Sequence, residues 1–368
     1  MGLGDRSSSP SQDRHGWIDA RRVDEFECVA SVLLSILFAH LIGASNVSWA
    51  AFSGYMVMRG HAAESLLRGI LRIVGTAAGA ALGLVLTPLA LGSLAVTAVL
   101  LAVIGGTTLY AALTGKRAYA WLFVGLTFVM ILLDKTQHPD IALVNFARTR
   151  LLEVVAGTVA CVLISTASTV TLRRIWPAER AAPAKRIGWT PRAVRHACQA
   201  GAALLILPVI GVYLHLPSLA QGAVAILAAM LVPVTSIGSS GFVPVSYRLL
   251  NRVIGCLCGA MLAAIILYVA QGNAPILILG TMLGVAAGRH LENGNGGMAY
   301  AGTQFVLAVL VTLVPDSYED AHIGPGVERL LGTLIGMGLL EPVLLLWHLL
   351  APGRREQGVR AKNEAGGV

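Results

Sequence analysis

The feature that most constrains this chain is a succession of long apolar stretches separated by short polar breaks. They run at about 26–43, 46–58, 65–87, 92–114, 117–134 and 141–172. They resume at about 192–214, 217–236, 245–270, 274–288, 298–315 and 324–350. A helix that crosses a bilayer needs about 20 mostly apolar residues. Twelve such helices use roughly 240 residues, which leaves a chain of 368 no room for a large soluble domain. The stretches at 46–58 and 274–288 are short for a full span. With 56% apolar and 12% charged residues and a mean hydropathy of +0.73, the chain is neither disordered nor an ordinary soluble enzyme. The expected fold is all-α: a polytopic transmembrane bundle of about twelve helices. Its expected organisation is a disordered cytoplasmic tail at 1–24, a six-helix membrane half at 25–172 and a basic cytoplasmic linker at 173–191. A second six-helix half at 192–350 and a cytoplasmic tail at 351–368 complete it.

Charge sets the expected orientation. The chain carries 27 Lys and Arg against 19 Asp and Glu, a net charge of +8. An excess of that size can signal nucleic acid, but here it clusters in alternate loops, as the positive-inside rule requires, and no nucleic-acid partner is expected. With the N-terminus inside, the inner segments hold Arg6, Arg14, Arg21, Arg22, Arg59, Lys116, Arg117, the linker cations and Arg289. Arg68, Arg72, Arg248 and Arg252 lie at inner helix ends. The outer loops near 44–47, 88–92, 215–218 and 271–275 carry no Lys or Arg. Lys135, Arg148, Arg150 and Arg329 are outer exceptions, set beside Asp134, Asp140, Asp316, Glu319 and Asp320. The reading is a multi-pass membrane protein with both termini cytoplasmic. Residues 1–25 show no apolar signal-peptide core. The five cysteines lie in or beside apolar stretches, and Cys256 and Cys258 point to different helix faces. Neither a disulfide framework nor a metal site follows, and no cofactor is expected.

The two halves echo each other. Residues 68–80 read RGILRIVGTAAGA and residues 248–260 read RLLNRVIGCLCGA, so Arg68, Arg72, Gly75 and Gly79 match Arg248, Arg252, Gly255 and Gly259. Glu153, Gly157 and Thr158 recur as Glu328, Gly332 and Thr333. Tyr119 to Asp134 resembles Tyr300 to Asp316 more weakly. A parallel repeat of this kind commonly places substrate between its halves. Small residues four apart let helices approach closely, so Gly75, Gly79, Gly83, Gly157, Gly255, Gly259, Gly332 and Gly336 read as packing seams. The same stripes can pack two chains into a homo-oligomer.

The in-membrane polar residues carry the functional reading. A cation near a helix N-terminus opposes the macrodipole, so Arg68 and Arg248 need lipid headgroups or another compensating partner. Arg72 and Arg252, one turn deeper, suit a bound anion or a carboxylate partner as readily as lipid. Glu153 lies deep in its apolar segment, where a carboxylate must be paired or protonated. It and Glu341, beside the kink-prone Pro342, are the candidate proton-coupling groups. Trp49 and Tyr119 either flank an aromatic substrate or anchor at the interface. The SIGSS run at 236–240 and the ENGNGG run at 292–297 are candidate gating loops or plain turns. No phosphate-binding loop and no nucleophile elbow are present.

At these residues the chain resembles the fusaric-acid-resistance (FUSC) and aromatic acid exporter family. The resemblance rests on Trp49, Ala50 and Ala51, then R-x-x-x-R-x-x-G-T-x-x-G at 68–79, RAYAWLFVGLT at 117–127, and Arg150, Glu153, Gly157 and Thr158. It covers roughly 26–172, and the second half matches more loosely, with Cys256 in place of the threonine. It implies an inner-membrane exporter of small aromatic or other organic acids, two six-helix halves and drive by proton motive force. Thr127, at the end of the third motif, joins Arg68, Arg72, Arg248, Arg252, Trp49 and Tyr119 as the substrate-binding set it implies. The linker is too short for the soluble domain many members carry, which puts a periplasmic adaptor partner in doubt. The expected partners are membrane lipid and a small organic acid. A passive organic-anion channel is the alternative. A membrane enzyme is a third reading, with His290 and Glu292 the nearest approach to a polar cluster.

Overall fold

The computed structural model describes residues 19–140, 142–179, 187–238, 240–294 and 297–350. The two tails at 1–18 and 351–368, much of the linker and parts of the two candidate gating loops lie outside the described residues. The helices are α1 (Ala20–Leu41), α2 (Val47–Val57), α3 (Ala62–Ala90), α4 (Leu94–Thr114), α5 (Ala118–Gln137) and α6 (Leu143–Val170). A single turn, α7 (Leu172–Ile175), leads into the linker. Then come α8 (Pro191–Tyr213), α9 (Leu219–Met230), α10 (Phe242–Ala270), α11 (Ala274–Glu292), α12 (Ala299–Leu313) and α13 (Gly324–Leu350). No strand occurs among the described residues. Eight helices are long and apolar enough to cross a membrane, so the chain is a multi-pass membrane protein. The segment expected to be short at 274–288 continues to Glu292 as a 19-residue helix.

The remaining helices show what the chain needs besides span. α1 has 22 residues, but Arg21, Arg22, Asp24, Glu25 and Glu27 crowd its first two turns. α2 has 11 residues and α9 has 12, about 16–18 Å at 1.5 Å per residue. That is roughly half of a 30 Å hydrocarbon layer. Both are half-helices: after Val57 and after Met230 the α-helix breaks before the next long helix begins. Exposed carbonyls in lipid are costly unless paired, so the ends of these half-helices must be capped from within the protein.

The two sets of six helices interlock rather than stand apart. α4 packs on α8, α5 on α9, α1 on α11 and α2 on α12. One buried cluster joins Leu101, Leu109 and Phe128 of α4 and α5 to Leu204, Ile226 and Leu344 of α8, α9 and α13. Another joins Cys28, Phe52 and Cys161 to Val285, Val306 and Leu310 of α11 and α12. Leu41, Val85, Tyr268 and Leu283 remain exposed on the outer faces, as a lipid solvent allows.

One end of the bundle is rich in cations, including Arg59, Arg68, Arg173, Arg248 and Arg289. The other holds Asp134, Asp316 and Glu328. At the basic end a buried ionic network ties the halves. Arg289 of α11 donates to both oxygens of Asp24 at 2.6 and 3.1 Å. Asn293 adds a bond to Asp24 at 2.6 Å, and Arg173 of α7 grips both oxygens of Glu27 at 2.8 and 2.6 Å. Arg289 also reaches Glu292 at 3.1 Å, and Glu292 accepts the Tyr55 hydroxyl at 2.5 Å. On the opposite seam, His196 and Gln199 bond the backbone carbonyls of Met230 and Ser240.

Candidate functional site

The repeated arginines meet the broken helices. Arg68 donates from Nε to the Met56 carbonyl at the end of α2, 2.9 Å away, and its guanidinium lies 3.9 Å over the Tyr119 ring. Arg248 does the same in the second half: Nε reaches the Ala228 carbonyl of α9 at 3.2 Å, and the guanidinium stacks 3.9 Å over Tyr300. Each cation thus caps the C-terminal carbonyls of a half-helix, where the macrodipole favours positive charge. One turn deeper, Arg72 donates to Ser53 Oγ at 3.1 Å and to the Tyr119 hydroxyl at 3.0 Å. Its guanidinium lies 4.1 Å over Phe123. Arg252 donates to Thr333 Oγ1 at 3.3 Å and to the Tyr300 hydroxyl at 3.2 Å.

Close packing makes these contacts. A Cβ at Gly75 would stand 2.5 Å from the Ala120 carbonyl oxygen, and one at Gly79 would stand 2.5 Å from that of Val124. Gly83 faces Ile131, so all three seat α3 on α5. Gly255 and Gly259 meet Ala301 and Phe305 of α12, Gly157 meets Ala50 of α2, and Gly332 and Gly336 meet Gln221 and Gly222 of α9.

Two cations counted on the outer side on sequence grounds lie inside helices, Arg150 in α6 and Arg329 in α13. Arg329 is 4% exposed, and Arg72 and Arg252 are each 2% exposed. Arg329 donates to Gln304 Oε1 at 2.9 Å, its Nε has no partner among the described residues, and it approaches the Phe52 ring at 5.7 Å. Arg150 lies 3.9 Å over the Trp49 ring and reaches Glu153 Oε2 at 3.4 Å. Glu153 Oε1 has no direct partner among the described residues. Among the described residues, therefore, Arg150 is the one deep arginine paired with a carboxylate; the hydrogen-bond partners of Arg72, Arg252 and Arg329 there are neutral.

Two cavities adjoin this cluster. The one open to the acidic end has a volume of about 300 Å³ and touches Asp134, His138, Gln221 and Glu328. The inner one is about 50 Å³ and touches Arg72, Thr76, Phe123 and Thr127. Trp49, Met130 and Arg150 line both and form the partition between them. Thr76 Oγ1 and Gln221 Oε1, one at each cavity, are buried without a partner among the described residues. The structure thus brings Trp49, Arg72, Thr127 and Arg150 to one place, with Glu153 behind Arg150. Tyr119 stays beneath the arginines. Glu341 lies apart near the basic end, where it accepts from Ser246 Oγ at 2.9 Å. Asp316 accepts from the Val47 N–H at 2.8 Å and so caps α2. No group of three metal-ligating side chains occurs among the described residues.

Sequence reasoning passed over Arg329, Gln304 and Gln221. Their signal is the repeat itself: Arg329 follows Glu328 in a repeated motif, and Gln304 stands in register with Phe123 once Tyr300 is set on Tyr119.

The comparison with known families decides between the broad readings. The chain matches the fusaric acid resistance protein-like family over residues 34–164 and 203–341. It belongs to that family. The membership gives the chain a membrane transport role. The matched stretches contain every arginine of the site, the two half-helices and Glu153. No curated protein and no solved structure matches the chain.

Proposed function

We propose that the chain is a secondary transporter that exports small organic carboxylates, aromatic ones foremost, with Glu153 as its proton site. The observation that carries this reading is the cationic interior: Arg72, Arg252 and Arg329 are buried with neutral partners. A buried charge without a counter-ion is expensive in a membrane. A carboxylate that passes between the halves supplies the missing negative charge, and a guanidinium binds it through two parallel N–H donors. Trp49 and Phe123 line the inner cavity with Arg72 and Arg150, which suits an aromatic acid. Fusaric acid, from which the family takes its description, is a pyridine carboxylic acid.

The cavities suggest how passage is gated. Pockets that hold small ligands are typically about 300 Å³ or more. The acidic-end cavity meets that, while the inner one, at about 50 Å³, holds only a few waters. Passage between Arg72 and the acidic end requires the partition of Trp49, Met130 and Arg150 to move. By the positive-inside rule the basic end faces the cytoplasm, so the acidic-end cavity is the exit side, and the membrane is the bacterial inner membrane.

The test is efflux of a panel of aromatic and aliphatic carboxylic acids from cells that express the chain. Wild type, Arg72→Ala and Glu153→Gln run with and without a protonophore. An acid whose efflux is accelerated by the wild type and slowed by all three perturbations supports coupled export. Efflux that needs Arg72 but ignores both Glu153 and the protonophore identifies a passive anion channel instead. No acid exported by any form refutes carboxylate transport by this chain.

A further inference from the structure

We propose that the seam between α4 and α8 holds an anionic phospholipid of the cytoplasmic leaflet. One acyl chain lies in a groove of that seam, and the headgroup rests on the cations at its mouth.

The groove follows from how the two halves meet. α4 and α8 touch through small residues: a Cβ at Gly106 would stand 3.3 Å from the Ala197 carbonyl oxygen, and one at Gly201 would stand 3.1 Å from that of Ala102. Small residues let the two backbones close on each other and leave a trough on the lipid side. Val103, Tyr110, Trp189 and Val194 wall it, and its volume is about 380 Å³. That is within the range of pockets that enclose a small ligand, about 300–1,000 Å³. Thr107 on its rim donates to the Val103 carbonyl of its own helix at 2.7 Å, so that hydroxyl asks nothing of an occupant. The walls suit hydrocarbon.

Length and position select an acyl chain. From Ala102 to Tyr110 the groove runs along α4, about 12 Å at 1.5 Å per residue. One leaflet is about half of a 30 Å hydrocarbon layer, so the groove spans a single leaflet. A helix from a second copy would need a track through both. The Tyr110 end is the basic end. There the N–H groups of Ile187 and Gly188 both bond the Thr114 carbonyl of α4, at 3.1 and 3.4 Å, which brings Trp189 over the mouth. Tyr and Trp at such a level are interfacial anchors.

Charge selects the headgroup. Lys116 and Arg117 follow α4 directly and Arg192 opens α8, and all three are exposed. The ion pairs of the described residues at this end use Arg21, His61, Arg173, Arg289 and His290 and leave these three out. Cations at the inner membrane surface attract anionic lipid. Because α4 belongs to one half and α8 to the other, the bound lipid ties the halves together.

The experiment is native mass spectrometry of the purified full chain, titrated with phosphatidylglycerol and with phosphatidylcholine of the same acyl chains. The expected result is one tightly held phosphatidylglycerol per chain, bound at least about tenfold more tightly than phosphatidylcholine. Lys116→Gln, Arg117→Gln and Arg192→Gln combined should bring the two lipids within about twofold of each other. Cys198→Phe fills the groove from its α8 wall, and Thr107→Phe fills it from α4. Both positions are exposed, so the lipid-free variants should melt with the wild type while each loses the tight lipid at least about tenfold. Equal binding of the two lipids by the wild type overturns the proposal. So does tight phosphatidylglycerol that survives both Phe variants, or a chain dimer that those variants dissolve while no lipid is retained. None of these results bears on carboxylate transport, which efflux tests separately.

Discussion

Gly75→Ala adds one methyl group where α3 meets α5, and its effect can be worked from the contact. The new Cβ would stand 2.5 Å from the Ala120 carbonyl oxygen and 2.9 Å from Phe123 Cβ. The first neighbour is backbone, so it cannot swing aside, and the helices must part by roughly 1 Å to restore ordinary contact. A gap of that size forfeits about a quarter to a half of each dispersion contact across the seam. Overpacking of this kind costs about 1–3 kcal/mol, and alanine's better helix propensity returns at most about 1 kcal/mol. The expected net loss is about 1–2 kcal/mol. Gly338→Ala is the matched control: it is also helical and has nothing within 4 Å of its added Cβ, so only the propensity gain remains. Parting α3 from α5 also stretches the 3.0 Å bond from Arg72 to Tyr119, so transport should fall with stability. Thermal unfolding of the purified protein in detergent, followed by tryptophan fluorescence, reads the difference. Gly75→Ala should melt several degrees below wild type and Gly338→Ala at or above it. Equal melting of the two variants would refute the packing argument.

The other predictions concern charge. Asp24→Ala leaves Arg289 and Asn293 without the carboxylate that both grip. It should destabilise the fold by about 3–5 kcal/mol, the cost of breaking a buried pair, while Asp24→Asn costs less; thermal unfolding separates the two. Arg68→Met removes the donor that caps the Met56 carbonyl. The exposed half-helix end should cost about 1–3 kcal/mol, read as a lower melting temperature with Arg248→Met as the counterpart in the second half. Gln304→Glu places a carboxylate where Arg329 now bonds an amide at 2.9 Å. It should preserve or raise thermal stability while cutting carboxylate efflux at least about tenfold. Unchanged efflux would remove Arg329 from the anion path.

The sequence by itself determined that this is a membrane bundle. Twelve apolar stretches with loop charges on alternate sides follow from the cost of burying backbone and charge in lipid, and both costs are local enough to be read along the chain. The repeat was legible for the same reason: Arg68, Arg72, Gly75 and Gly79 recur at one offset as Arg248, Arg252, Gly255 and Gly259. Even the brevity of α2 could be read, since 46–58 is too short to span.

Only the tertiary structure decided what the polar residues touch. Arg68 and Arg248 could answer to lipid or to a ligand; the fold gives them the carbonyls of the half-helices α2 and α9. Arg150 and Arg329 read as outer-side exceptions to the charge rule, set beside acids. They are buried because α6 and α13 turn those positions toward Trp49 and Gln304. Hydropathy is a property of segments, whereas the partner of a buried charge is set by which helices pack together. That packing follows from small side chains such as Gly75, Gly157, Gly255 and Gly332, scattered along several helices. The chain's composition therefore announced the membrane, and its helix contacts alone buried Arg72, Arg252 and Arg329 among neutral partners and set Arg150 beside Glu153.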